Sequence, residues 1–378
     1  MSRTYADRAA PTRLIVQGAA TEDPDSREWL TVGLRDTAKT TRLYKYIGDM
    51  RDHLINHNVP WPLSAEFDLL PSYHLIELLN DDGVSRVVAM LIGRFGNPDR
   101  PGHIELIEPD YFLHLNGVQI QLGTGFDLGA SGSKHKDYCQ QLGIPQGGVT
   151  GAGVKIAVID TGVEPNFSGI HGFFDLFDSK NKAPEDSVGH GTAMIKIIKD
   201  VARDAEVYAI RITDDNSVRL YDLMAGIATA VHIIDAHIIN LSLGCTQIAG
   251  SCTKCGGQGS NRSTVFETYL RSIRNSGTNS GGSSDPVFVA AVGNGRHSNE
   301  FDWPARYPQT LAVGSINSNK ELSEFSNAGT VKPGLKPTYV LCPGGDENAQ
   351  GPTEGNADLF RAASNLKCNT FRVRCCPD

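Results

Sequence analysis

Asp160, His190 and Asn294 are the residues of this chain whose types and settings could together do acid–base chemistry at a carbonyl. Asp160 closes the apolar run Val158-Ile159 and precedes Thr161-Gly162. His190 stands in Gly189-His190-Gly191-Thr192, and Asn294 in Gly293-Asn294-Gly295 after Ala290-Ala291-Val292. A carboxylate at the end of an apolar strand is poorly hydrated and needs a donor. An imidazole N–H is a suitable donor, and the bond fixes the tautomer whose other nitrogen can take a proton. Glycines on both sides of His190 let other backbone approach closely. An amide in a tight turn can donate to a developing oxyanion, typically worth about 10²–10³ in turnover. Acid, base and oxyanion donor are three of the four groups that attack on a peptide carbonyl requires. The fourth, a serine in a Gly-Thr-Ser-x-Ala setting, is not in the sequence.

Other chemistries fit less well. A strand-terminal Asp-Thr-Gly also occurs where two carboxylates share a proton, but that needs a second such loop. The nearest candidate, Phe126-Asp127-Leu128-Gly129, lacks the hydroxyl residue. Cys252-Thr253-Lys254-Cys255 has zinc-like spacing without a second pair or a histidine partner, so a loop disulfide or free thiols are expected and no metal or cofactor.

These groups need elements to position them. From Val154 the pattern is βαβ. Val154 to Ile159 is a nearly continuous apolar run, as in a parallel strand buried on both faces. Ala193, Met194, Ile197, Ile198 and Val201 form a helical stripe just after His190. Val207 to Ile212, His237 to Leu243, Val287 to Val292 and Thr310 to Ser315 read as strands. Leu220 to Val231 and Val265 to Ile273 read as helices. The fold class expected is α/β, a mostly parallel sheet with helices on both faces. Reactive groups in such sheets sit at the carboxyl ends of strands, where Asp160 and Asn294 fall.

Before residue 115 the chain reads as a small α+β domain. Leu14 to Val16, Trp29 to Val32 and Ile104 to Asp110 look like strands. Leu43, Tyr46, Ile47, Met50 and Leu54 suggest a helix between Ala38 and Asn56, while Tyr73 to Leu79 and Val84 to Ile92 fit either state. Residues 116–153 are Gly/Ser-rich and read as an exposed linker prone to nicking. The expected division is 1–115, the 116–153 linker, and 154–378, atypical or truncated after about residue 350.

Composition sets outer bounds. The 378 residues are 40% hydrophobic and 21% charged with a formal charge of −8, which argues against general binding to nucleic acid or anionic membrane. No apolar run approaches the roughly 20 residues of a membrane helix. Met1 to Ala10 is polar, unlike a secretory signal, so a cytoplasmic location is favoured on this sequence.

The stretch from about Val154 to Gly345 resembles the subtilase family of serine proteases. Lys155-Ile-Ala-Val-Ile-Asp160-Thr-Gly-Val resembles its Asp motif and Gly189-His190-Gly191-Thr192 its His motif. Ile239-Asn240-Leu241-Ser242-Leu243-Gly244 resembles the strand lining the substrate cleft, and Phe288-Val-Ala-Ala-Val-Gly-Asn294-Gly the oxyanion segment. Phe325-Ser326-Asn327-Ala328-Gly329 is similar to a connecting sequence, and Cys342-Pro343-Gly344-Gly345 stands where Ala-Pro-Gly is usual. The resemblance implies a subtilisin-like serine endopeptidase with Asp160 as acid, His190 as base, Asn294 at the oxyanion, and Ser242, Leu243 and Gly244 binding polypeptide substrate. The N-terminal domain resembles the family's propeptide, ending in a strand like Ile104-Glu-Leu-Ile-Glu-Pro-Asp110. That implies a zymogen whose own N-terminal domain is an intramolecular inhibitor. The family's nucleophile motif should follow Pro343, but the chain there reads Gly351-Pro352-Thr353-Glu354-Gly355. Ser364 lies in Ala362-Ala363-Ser364-Asn365, without Gly-Thr before it, so no nucleophile is identified. The alternative expectation is an inactive subtilase-like protein that binds peptides or regulates.

Overall fold

A computed structural model describes residues 13–20, 25, 29–30, 33–34, 41–44, 70–78, 84–115, 150–178, 181, 183–215, 217–244, 263–276, 285–317, 319–329 and 338–344. Three sheets organise them.

The first belongs to the N-terminal unit. Strands β1 (Arg13–Gly18), β2 (Thr41–Tyr44), β3 (Tyr73–Leu78) and β4 (Ile104–Pro109) form an antiparallel sheet in the order β2-β3-β1-β4, with helix α1 (Val84–Phe95) between β3 and β4. Alternation along β1 and β3 sends side chains to two cores. Leu14, Val16 and Ile76 pack with Leu91 and Phe95 of α1, while Ile15, Tyr73 and Leu75 join the large core of the second unit.

Two expectations for this region fail. Thr41–Tyr44, expected in a helix, is the strand β2, because its backbone is satisfied by a four-residue ladder to β3. The remainder of that expected helix lies outside the described residues. Trp29 and Leu30, expected in a strand, are helical together with Gly33 and Leu34. Leu30 and Leu34, four apart, bury one helical face in the core that holds Phe95.

The second sheet has seven strands. They are β6 (Lys155–Asp160), β7 (Gly172–Asp175), β8 (Glu206–Arg211), β10 (Ile238–Leu241), β12 (Val287–Ala291), β13 (Thr310–Ile316) and β14 (Thr338–Pro343). Their order is β14-β13-β12-β10-β6-β8-β7, and every pairing is parallel. In β6 and β8 one set of alternate residues (Ala157, Ile159, Tyr208, Ile210) enters the large core. The other set (Ile156, Val158, Val207, Ala209) packs with Ile195 of helix α2 (His190–Val201). Burial on both faces explains the near-continuous apolar run read from the sequence. Helices α3 (Leu220–Ala228, continued by a π turn over Thr229–Ile233) and α4 (Thr264–Ser276) contribute Leu223, Ile227, Phe266 and Leu270 to the large core. Because the sheet is parallel, the ends of β6, β7, β10 and β12 gather at one edge, with His190 opening α2.

The third sheet is small and joins the units. The chain leaving β4 forms β5 (Phe112–Leu115), which lies between β9 (Ser217–Arg219) and β11 (Leu243–Gly244) and is antiparallel to both. The segment read as one strand from His237 to Leu243 is thus two, split at Ser242. Strand β5 was not legible, since four residues gain a conformation only from the partners on either side.

Candidate active site

Asp160 ends β6 and is fully buried; His190 is 3% exposed. The imidazole Nδ1 lies 2.7 Å from Asp160 Oδ1 and 2.9 Å from Oδ2. The backbone N–H of Thr161 donates to Oδ1 at 2.7 Å. A carboxylate is an acceptor, so the shared proton sits on Nδ1 and the other ring nitrogen of the neutral imidazole is left to accept one. Arg211, beside Asp160 in the sheet register, is engaged elsewhere. Its guanidinium pairs with Asp175 at 2.7 Å and Glu185 at 3.2 Å.

The segments carrying Asp160 and His190 meet at backbone distance. Gly162 has φ of 110°, and a Cβ there would collide with the carbonyl oxygen of Glu185. A Cβ on Gly191 would collide with the carbonyl oxygen of Gly162. At both positions the close backbone approach requires glycine. Val163 N donates to Glu185 O at 3.2 Å, and Glu164 N to Thr192 Oγ1 at 2.9 Å.

Asn294 follows β12 in the loop from Val292 to His297. That loop hangs on Asn327, which is fully buried. Asn327 Oδ1 accepts from Gly295 N at 2.9 Å and His297 N at 3.0 Å. Its Nδ2 donates to Val292 O at 2.9 Å and Asp302 Oδ1 at 3.0 Å, and its backbone N–H donates to Gly293 O at 2.9 Å. Sequence reasoning passed over Asn327 as part of a connecting segment. The signal available was an amide residue in a Phe-Ser-Asn-Ala-Gly turn, but its partners lie 25 to 35 residues away. Asp186, four residues before His190, was also missed.

Ser242, Leu243 and Gly244 sit where β10 passes into β11. Asn240 Nδ2 donates to Ser242 Oγ at 3.0 Å, and Leu243 and Gly244 pair with Leu115 and His114. Leu113 and Leu115 are buried, at 0% and 5% exposure. Two carboxylates next to β5 fasten the units together. Glu108 accepts from Ser263 Oγ at 2.7 Å and Thr264 N at 2.9 Å, at the start of α4, where Ser263 Oγ also takes Phe266 N. Asp110 accepts from Tyr221 N at 2.9 Å, at the start of α3. Each supplies an acceptor to orphan N–H groups at the positive end of a helix.

Burial pushes the Asp110 carboxyl up to about 6, with the Asp222 carboxylate adding to it and Arg219, the Tyr221 N–H and Arg13 opposing. Among the described residues no group of three or more His, Cys, Asp or Glu could hold a metal ion, and no helix is long and apolar enough to cross a membrane. Ser364, Cys252, Cys255 and Asp127 lie outside the described residues.

The sequence model of the subtilase family matches residues 151–371. The chain is 29% identical over 225 residues to subtilisin E of Bacillus subtilis (strain 168), a match spanning 54% of this chain and 53% of that protein. It is 31% identical over 256 residues to the thermophilic serine proteinase of Bacillus sp. (strain AK1), spanning 61% and 55%. The chain therefore spans about half the length of the curated relatives it matches. Among solved structures, the epidermin leader peptide processing serine protease of Staphylococcus aureus superposes with a TM-score of 0.56. That likeness, of fold, has 16% identity and covers 89% of this chain and 75% of that one. With the family model matching more than half of its length and the seven-stranded parallel sheet beneath that match, this chain belongs to the subtilase family.

Proposed function

We propose that this chain carries the cleft of a subtilisin-like serine endopeptidase, made as a zymogen with its N-terminal unit as inhibitor. In this reading Asp160 orients His190, His190 takes a proton from the nucleophile and returns it to the leaving amine, and Asn294 donates to the oxyanion. Substrate backbone adds as an extended strand along Ser242, Leu243 and Gly244. The observation that carries the reading is the ladder β11-β5-β9. An extended piece of the chain itself, Phe112–Leu115, lies between Leu243–Gly244 and Ser217–Arg219 and is antiparallel to both, the way a bound peptide adds as a strand. The linker that follows, residues 116–153, is where separation of the two units is expected.

A second reading is a peptide-binding protein without turnover. It rests on one observation, that Gly-Thr-Ser-x-Ala is not among the 378 residues. The difference is large, since loss of the serine alone costs about 10⁶ in turnover in subtilisin.

The test is to nick the chain between residues 116 and 149, separate the halves, and offer the C-terminal half a fluorescent peptide bearing Phe-Leu-His-Leu and a quenched fluorogenic substrate. Turnover that appears on separation in a version with Gly-Thr-Ser-x-Ala introduced after Pro343, and is lost there in His190→Ala, supports the endopeptidase. Peptide binding without turnover supports the second reading. A folded C-terminal half that neither binds nor cleaves excludes both.

A further inference from the structure

We propose that Asp186 is a positioning residue of this site, fixing through Thr161 and Thr192 where His190 stands relative to Asp160. The inference rests on reading Asp160 and His190 as acid and base.

Asp186 is 5% exposed, and its carboxylate is the hub of five hydrogen bonds. Oδ1 accepts from Thr161 Oγ1 at 2.8 Å, Gly189 N at 2.7 Å and Val188 N at 3.2 Å. Oδ2 accepts from Thr192 N at 2.9 Å and Thr192 Oγ1 at 2.6 Å. The donors fall on both sides of the acid–base pair. Thr161 follows the acid directly; Gly189 and Thr192 flank the base.

Helix α2 has no side-chain cap at its own boundary. Gly189 stands there with φ of 86° and has no side chain to offer. His190 is the first residue of that helix, so its placement depends on whatever else holds the first turn. Asp186 does this by taking the N–H groups of Gly189 and Thr192, which the helix leaves without intrahelical partners.

The Thr161 hydroxyl makes the link across. It has one proton, given to Asp186, which turns a lone pair toward Gly191 N at 2.9 Å. The residue after the acid thereby holds the residue after the base, and Asp186 sets the direction of the hydroxyl that does so. Thr192 repeats the device. Its hydroxyl proton goes to Asp186 while its oxygen accepts from Glu164 N. Since Gly162 and Gly191 already meet at backbone contact, turning either hydroxyl cannot be absorbed by closer packing. Such constellations need placement to within about 0.5 Å.

The experiment reads the Nδ1 proton of His190 by NMR on the full chain, because a proton held between an imidazole and a carboxylate gives a protected, far-downfield resonance. Its assignment is its absence in His190→Ala. Asp186→Asn keeps the side-chain shape and loses one acceptor oxygen, and we expect the resonance to be lost. Thr161→Val should lose it too, and Thr161→Ser, which keeps the hydroxyl, should retain it. A purely structural role would lower the melting temperature and leave the resonance in place, so a folded Asp186→Asn with the wild-type resonance overturns the proposal. Should Asp186→Asn fail to fold, the Thr161 pair decides: loss in valine with retention in serine supports the link, and equal behaviour overturns it. A wild-type chain without the resonance overturns it as well. Where the chain turns over peptide, kcat should fall about 10²-fold in Asp186→Asn at unchanged KM. Absence of turnover in every form counts against the endopeptidase reading alone, because the resonance needs no nucleophile.

Discussion

Asn327 makes four side-chain hydrogen bonds, all to the loop bearing Asn294 and its neighbour Asp302. Asn327→Ala removes both ends of that brace and leaves buried groups at Val292 and Asp302 without it. We expect a loss of roughly 2–4 kcal/mol in urea unfolding, since each buried polar group deprived of a partner costs about 1–3 kcal/mol. A loss below about 0.5 kcal/mol, the range of ordinary surface substitutions, would mean that water replaces the amide. Asp160 and His190 were legible because each sits in a short local pattern. Asp186 and Asn327 were not, because a hub is defined by its partners. A lone Asp or Asn in a turn looks the same whether it faces water or five donors.

At the scale of elements, Asp110 joins a strand of one unit to a helix of the other. Its carboxyl is at about 6 where docked, against an ordinary 3.8, with burial as the main cause. A carboxyl raised on docking binds a proton more tightly in the docked state. Its contribution therefore favours docking below about pH 4 and disfavours it progressively as pH rises through about 6, after which the effect is constant. In a nicked chain, the Kd between the halves should rise by about 10² from pH 4 to pH 7 from this group. Asp110→Asn should flatten that rise and tighten docking at pH 7. A Kd that falls over this range, or an unaltered profile in Asp110→Asn, would refute the sign. The long elements of the second unit were readable from periodicity, as Val265 and Ile273 in α4 illustrate. The short strands β5, β7 and β9 carry no period of their own, and β2 was hidden because Leu43 also fitted a helical stripe.

For the whole molecule, the parallel sheet brings Asp160 and the Asn294 loop to one edge, and α2 brings His190 to the same place. The N-terminal sheet lays Ile15, Tyr73 and Leu75 on the large core and leads into β5, which pairs with β11 and β9. The parallel character of the large sheet was legible, because βαβ alternation points to it. The joining sheet was not, since β5 finds its partners about 105 residues away in β9 and about 130 away in β11. On the reading proposed above, the chain carries an oriented acid and base, an oxyanion donor and strands that hold a peptide, with no Gly-Thr-Ser-x-Ala in its sequence. A fluorophosphonate probe, which reacts with an activated serine, tests this most directly. We expect the 378-residue chain to remain unlabelled with or without its N-terminal unit. A version with Gly-Thr-Ser-x-Ala introduced after Pro343 should be labelled, and His190→Ala should abolish that labelling. Labelling of the present chain that is lost in Ser364→Ala, or labelling of the altered chain that survives His190→Ala, would contradict it.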